Sequence, residues 1–207
     1  MKNYEDWDWS KYTEVYMRQI IEVYRDKLFD VFISPDGLSY SENGVEFKDN
    51  LHDNHKEIYH LAYKFQPKSI LECGCGCGCH IKNLLAVLPN VEIFGIDISP
   101  RQVELANWFC QFTPEISKNI SVMDISKEAP NRTFDFVFTQ AVLMHLTTEK
   151  AMKALANMKK VSNKYVLLIE SPVGHPNWEG LIKEIFSGWE FSKPRRFPQD
   201  GILLTKV

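Results

Sequence analysis

The chain has 207 residues, 44% of them apolar and 25% charged, with a net charge of −3. That length buries a sizeable core in one folding unit without disulfides or metal. The balanced charge, whose only tight basic group is Lys193 with Arg195 and Arg196, makes no field for a polyanion, and no apolar run approaches a membrane span. Neither a nucleic-acid partner nor membrane insertion is expected.

The first residues, through Trp7 and Trp9, carry acids where a signal peptide would carry a basic region and an apolar run. A cytoplasmic setting is the expectation. Ser10 can cap a helix running to about Asp30, with Tyr12, Val15, Tyr16, Ile20, Val23, Tyr24 and Leu28 at helical spacing. Trp7, Trp9, Tyr12 and Tyr16 read first as anchors that hold this helix on the core, and second as a substrate wall. Residues 31–50, with Pro35, Gly37 and Gly44 and few periodic apolar residues, read as a loop or lid. A second helix spans roughly Asp53 to Phe65 and stops before Pro67; His52, His55 and His60 near it read as exposed, solvated side chains. The expected organisation is a helix and lid over 1–50 packed on a ligand-binding domain over 51–207.

Next comes the stretch on which the rest depends. Ile70-Leu71-Glu72 is a short strand that breaks into Cys73-Gly74-Cys75-Gly76-Cys77-Gly78-Cys79, after which Ile81, Leu84, Leu85 and Leu88 resume at helical spacing. Strand, glycine turn and helix together make a nucleotide seat, because a backbone without Cβ lets a ligand lie against it. Four cysteines at alternate positions do not form zinc spacing, since alternate residues diverge; they read as small, reduced fillers, and no metal is expected. The second strand, Val91 to Asp97, ends in an acid about twenty residues after Gly78, where a carboxylate meets the ribose hydroxyls of an adenosine cofactor. Asp97 has a competing use as a helix cap, for which Ser99 before Pro100 is better placed.

A helix from Pro100 through Phe112, a strand over Ile120 to Met123, and a continuous apolar strand from Phe134 to Thr139 follow. An amphipathic helix spans Thr148 to Val161, then a strand Lys164 to Ile169 and a helix Trp178 to Phe186. The chain closes with Trp189-Glu190-Phe191 and Ile202 to Thr205, joined by a loop too short for a crossover helix and so antiparallel. Strand and helix alternate throughout, which predicts an α/β fold with helices on both faces of a parallel sheet.

Glu72-Cys73-Gly74-Cys75-Gly76-Cys77-Gly78 resembles the first motif of class I S-adenosylmethionine-dependent methyltransferases. Gly95-Ile96-Asp97-Ile98-Ser99 resembles their acidic second motif, Val122-Met123-Asp124-Ile125 the third, and Phe134 through Leu146 the fourth. The resemblance implies a Rossmann-like, seven-stranded, mostly parallel sheet with an antiparallel last strand and an N-terminal helical cap. It also implies S-adenosylmethionine as cofactor, held by Glu72, Gly74, Cys75, Gly76, Gly78, Asp97, Ile98, Asp124, Ile125 and Gln140, with Asp124 meeting the adenine amino group. A nicotinamide dehydrogenase shares the turn and the acid, but its turn is Gly-x-Gly-x-x-Gly and it lacks the terminal hairpin.

Methyl transfer is an in-line displacement, so orientation does most of the work and a base assists a hydroxyl acceptor. His145, just past the fourth strand, and His175, on the proline-bounded loop Ser171 to Asn177, are the candidate bases; Glu170 is a further one. Thr139-Gln140-Ala141-Val142 is not the Asn/Asp-Pro-Pro-aromatic sequence of enzymes that methylate exocyclic or amide nitrogens. The compact chain is similar to bacterial methyltransferases acting on sugars, surface-polysaccharide precursors and secondary metabolites. The expected function is methyl transfer to oxygen, less readily nitrogen, of a small polar acceptor, with a homodimer left open. The alternative is a non-catalytic cofactor-binding or partner-activating subunit, which would keep the glycine turn but have a closed acceptor side.

Overall fold

The computed structural model describes residues 8–25, 30–34, 37–42, 45–46, 53–171, 175–193 and 201–207. Trp7, His52, Arg195, Arg196 and the far end of the first expected helix lie outside these residues, as does the side chain of Tyr16.

The first helix, α1, spans Trp9–Arg25. Asp8, not Ser10, caps it by accepting from the Lys11 N–H at 3.0 Å. Ser10 instead meets Ser99 through their hydroxyls at 3.1 Å, one of the links that lay α1 along the core. Where a loop was expected, three strands form an antiparallel sheet: β1 (Asp30–Ser34), β2 (Gly37–Glu42) and β3 (Val45–Glu46), with β1 against the helix that follows the glycine turn. The signal was present in the sequence as Asn43-Gly44, the strongest short hairpin cue. The second helix, α2, runs Asp53–Phe65 as the periodicity predicts.

The core then alternates: β4 (Ser69–Cys73), α3 (Cys79–Val87), β5 (Glu92–Asp97), α4 (Pro100–Cys110), the short α5 (Pro114–Ser117), β6 (Ile120–Val122), β7 (Phe134–Gln140), α6 (Thr148–Val161), β8 (Ser162–Ile169), α7 (Trp178–Ile185), β9 (Trp189–Ser192) and β10 (Gly201–Lys206). Seven strands make one sheet in the order β6-β5-β4-β7-β8-β10-β9. β4 to β8 are mutually parallel, and β10 runs against both β8 and β9. This is the Rossmann-like methyltransferase arrangement. β7 is buried on both faces, which is why its sequence is nearly continuous in apolar residues. Phe136 and Phe138 pack toward α2 and α3, whereas Val137 packs toward α6 and α7.

From β4 the chain moves outward through β5 to β6 and then returns to the opposite side of β4 as β7. Strand order reverses there, so the carboxyl ends of β4 and β7 open a crevice. No helix among the described residues is long and apolar enough to cross a membrane.

Candidate active site

A cavity of about 330 Å³ fills that crevice, within the range of small-ligand sites. Its floor is the glycine turn. Gly74 (φ 78°) has no room for a Cβ, which would fall 2.2 Å from Val142 Cγ2, so the Val142 side chain packs directly on the bare backbone of the turn. Gly76 is different: a Cβ there meets nothing nearer than Gln102 Oε1 at 3.9 Å, leaving open backbone on the cavity wall. Gly78 begins α3 in the left-handed region, with Phe112 and Ala106 packed against it. Cys75, Cys77 and Cys79 are buried on the cavity wall as free thiols, with no disulfide between them. Among the described residues no group of three or more His, Cys, Asp or Glu converges on a metal position.

Asp97 ends β5 with both oxygens directed into the turns around it. Oδ2 accepts from the Gly76 N–H at 2.9 Å and Oδ1 from the Ser99 N–H at 2.8 Å. The helix cap goes to Ser99, whose Oγ accepts from Gln102 N–H at 3.3 Å, an arrangement worth about 1 kcal/mol. Burial raises the Asp97 pKa, and the two backbone donors oppose that rise. Glu72, at the end of β4, is almost fully buried on the cavity wall, and its Oε2 has no hydrogen-bond partner among the described residues. Burial, then the neighbouring Cys77 and Asp97, hold its pKa well above the ordinary carboxylate value. An orphaned buried oxygen of this kind calls for a donor from a ligand.

Ile98, Asp124 and Ile125 form the wall beyond Asp97. Asp124 accepts from the Ser126 N–H at 3.0 Å and hydroxyl at 2.6 Å, and pairs with Lys127 at 3.1 Å. Burial raises its pKa, but Ser126 and Lys127 outweigh that and keep it below the usual value.

The opposite end of the cavity is built from the segment after β7. Gln140 and His145 both line it. His145 closes a 3₁₀ turn, Leu143–His145, with Trp9 edge-on at 5.1 Å, and burial lowers its pKa. It is therefore neutral at pH 7 and able to accept a proton.

His175 does not join it. Its Nε2–H donates to Leu143 O at 2.9 Å, its Nδ1 accepts from the Thr148 hydroxyl at 3.2 Å, and the ring is buried against Trp178. With both ring nitrogens engaged and no face on the cavity, it props the turn that carries His145. Glu170 supports the same turn, because its carboxylate accepts from Thr139 Oγ1–H (3.1 Å), Val142 N–H (3.0 Å) and Met144 N–H (3.2 Å). These bonds hold a backbone in which Ala141 has a φ of 53°, unfavourable for a residue with a Cβ. Neither residue is placed to act as a base.

Four further residues of the cavity are ones for which the sequence favoured another role or suggested none. Trp9 and Tyr12 are on the wall, so the aromatic start of α1 does serve as one. His55, expected in solvent, is buried against His80 with ring centroids 4.6 Å apart, and both line the cavity. The only local cue to His80 was its place directly after the glycine turn.

Residues 70–164 match the model of a methyltransferase domain family. No curated protein matches the sequence significantly. Among solved structures, magnesium protoporphyrin IX methyltransferase from Synechocystis PCC 6803 with bound S-adenosylmethionine is similar, at 17% identity and TM-score 0.60 over 75% of this chain and 79% of that one. An amino pentose methyltransferase from Micromonospora echinaspora, also with S-adenosylmethionine bound, is 14% identical with TM-score 0.60 over 75% and 91% of the two chains. The N-methyltransferase NodS from Bradyrhizobium japonicum WM9, with S-adenosylhomocysteine, is 18% identical with TM-score 0.54 over 74% and 84%. The fold is that of these methyltransferases, and residues 70–164 are similar to a methyltransferase domain. S-adenosylmethionine is bound in two of those structures, and here the open backbone at Gly76 and the orphaned Glu72 oxygen fit that group.

Proposed function

We infer that this enzyme moves a methyl group from S-adenosylmethionine to an oxygen of a small polar metabolite, of the class of sugars or surface-polysaccharide precursors. One observation carries the reading: a single cavity runs from Asp97 and Asp124 at one end to Gln140 and His145 at the other. A cofactor-binding subunit without turnover would have no use for the second end. The amino pentose methyltransferase with the same fold supports the carbohydrate class. A cytoplasmic, reducing setting goes with five unpaired cysteines.

The cofactor supplies a methyl group on a sulfonium, a strong electrophile that needs no metal. Gly74, Cys75, Gly76 and Gly78 would offer backbone to it, Glu72 would take its ammonium, Asp97 its ribose hydroxyls, and Ile98, Asp124 and Ile125 its adenine, with Gln140 facing the part of the cavity left for the acceptor. His145 would take the proton of an acceptor hydroxyl at this end of the cavity and pass it to water.

Calorimetric titration with S-adenosylmethionine and S-adenosylhomocysteine tests the cofactor half. Asp97→Ala is expected to weaken both by about tenfold or more, since each charge-assisted bond lost costs about 1.5–3 kcal/mol. Absence of binding to the native chain would sink the reading.

A further inference from the structure

Behind Gln140 lies a directed chain of hydrogen bonds. Gln140 Oε1 stands 2.6 Å from His80 Nε2, His80 Nδ1 stands 2.8 Å from the Tyr59 hydroxyl, and Asn83 Nδ2–H donates to that hydroxyl at 2.8 Å. A carbonyl oxygen has no proton, so His80 Nε2–H must donate to Gln140. Nδ1 is then a lone pair that accepts from the Tyr59 O–H, while the Tyr59 oxygen accepts from Asn83. Every link points the same way, toward the cavity. His80 occupies one lone pair of the Gln140 oxygen and fixes which way the amide faces, and the NH₂ group has no protein partner among the described residues.

We propose that Asn83, Tyr59 and His80 are positioning residues that fix Gln140 with its NH₂ group toward the cavity, and that Gln140 with His145 thereby selects a hydroxyl as the methyl acceptor. The inference rests on the methyltransferase reading and decides its oxygen-or-nitrogen question. A hydroxyl oxygen has two lone pairs and one proton. One pair attacks the methyl carbon, the other accepts from the Gln140 NH₂, and the proton goes to His145, whose burial keeps it neutral. A neutral amine has a single lone pair, which the methyl carbon takes. Its N–H groups then face the N–H groups of Gln140, donor against donor, and that mismatch in a desolvated site rejects it.

Two measurements test this. Nitrogen-15 spectra of the histidine rings near pH 7.5 report the His80 tautomer directly, with no ligand and no activity required. A proton on Nε2 is expected; a proton on Nδ1 would mean that Gln140 turns its oxygen outward and would overturn the proposal. The second measurement compares binding of S-adenosylhomocysteine with that of sinefungin, whose amine-bearing carbon replaces the reacting sulfur. Gln140→Glu keeps an oxygen for His80 and exchanges the NH₂ for a second oxygen. It is expected to raise the sinefungin-to-S-adenosylhomocysteine affinity ratio by about tenfold or more, and Tyr59→Phe to shift both this ratio and the tautomer part-way. An unchanged ratio in Gln140→Glu overturns the proposal. Failure of native protein to bind either ligand would overturn the methyltransferase reading instead, with the tautomer still measured separately.

Discussion

Replacing His145 by alanine is expected to lower methyl-transfer turnover by about 10²–10⁴-fold, the usual contribution of a positioned base, while S-adenosylhomocysteine affinity changes little. The split follows from where the residue sits. His145 lines the cavity at the end away from Asp97, and the glycine turn does not depend on it. The measurement is turnover with labelled cofactor and an acceptor found by screening hydroxylated small molecules, alongside calorimetry. Because burial lowers the His145 pKa, the neutral form persists below the ordinary histidine range, so the acid limb of the rate profile should fall below pH 6.5. His145→Gln, which fills the same space beside Trp9 but takes up no proton, should be as slow as the alanine variant. Turnover within a few-fold of native would remove His145 from the reaction and leave solvent as the proton acceptor.

The second large effect concerns Glu170. Truncation to alanine leaves the Thr139 hydroxyl and the Val142 and Met144 amides without their acceptor inside the protein. Each such loss costs about 1–3 kcal/mol, so about 3–5 kcal/mol and a clear drop in Tm are expected, measured by thermal and denaturant unfolding. The pH dependence is separate. Burial raises the folded-state pKa to about 7 against an ordinary value of 4.5, and the backbone N–H groups of Val142, Met144 and Leu143 with the Thr139 hydroxyl only partly offset it. The folded protein therefore holds this proton more tightly than the unfolded chain. The stabilisation is complete below pH 4.5 and is lost as pH rises through 7, amounting to about 3 kcal/mol. Glu170→Gln cannot ionise and still accepts from the turn. The stability difference between native protein and Glu170→Gln should therefore change across that window in this direction. Parallel pH curves for the two proteins would show that Glu170 is ionised without penalty.

Glu170 and His175 also show how a sequence misleads about chemistry. Each is a titratable residue at the tip of a strand or on the loop beyond it, the position from which such folds act on ligands. Both face inward to the same short turn, and their bonds set the backbone that presents His145. His55 and His80 go the other way. Their helical positions looked ordinary, and only the meeting of α2 with the start of α3 brings the rings together against the cavity. The strands within residues 30–46 were hidden by turn-forming residues that favour a loop reading, although Asn43-Gly44 is also a hairpin cue.

What the sequence by itself determined is the placement of one side of the cavity: Glu72, the three glycines, Asp97 and Asp124 stand at the ends of consecutive strands at short separations. Their positions follow from local geometry, a turn that suits glycine and an acid one strand away, so they are written in contiguous residues. The tertiary structure alone decided the side around Gln140 and His145. There a side chain's role depends on which neighbour takes its hydrogen bonds, and those neighbours lie 21 residues away for Tyr59 and His80 and 60 for His80 and Gln140. No periodicity records such a pairing, because it exists only when the sheet brings β7 beside β4 and lays α2 and α3 together on its face.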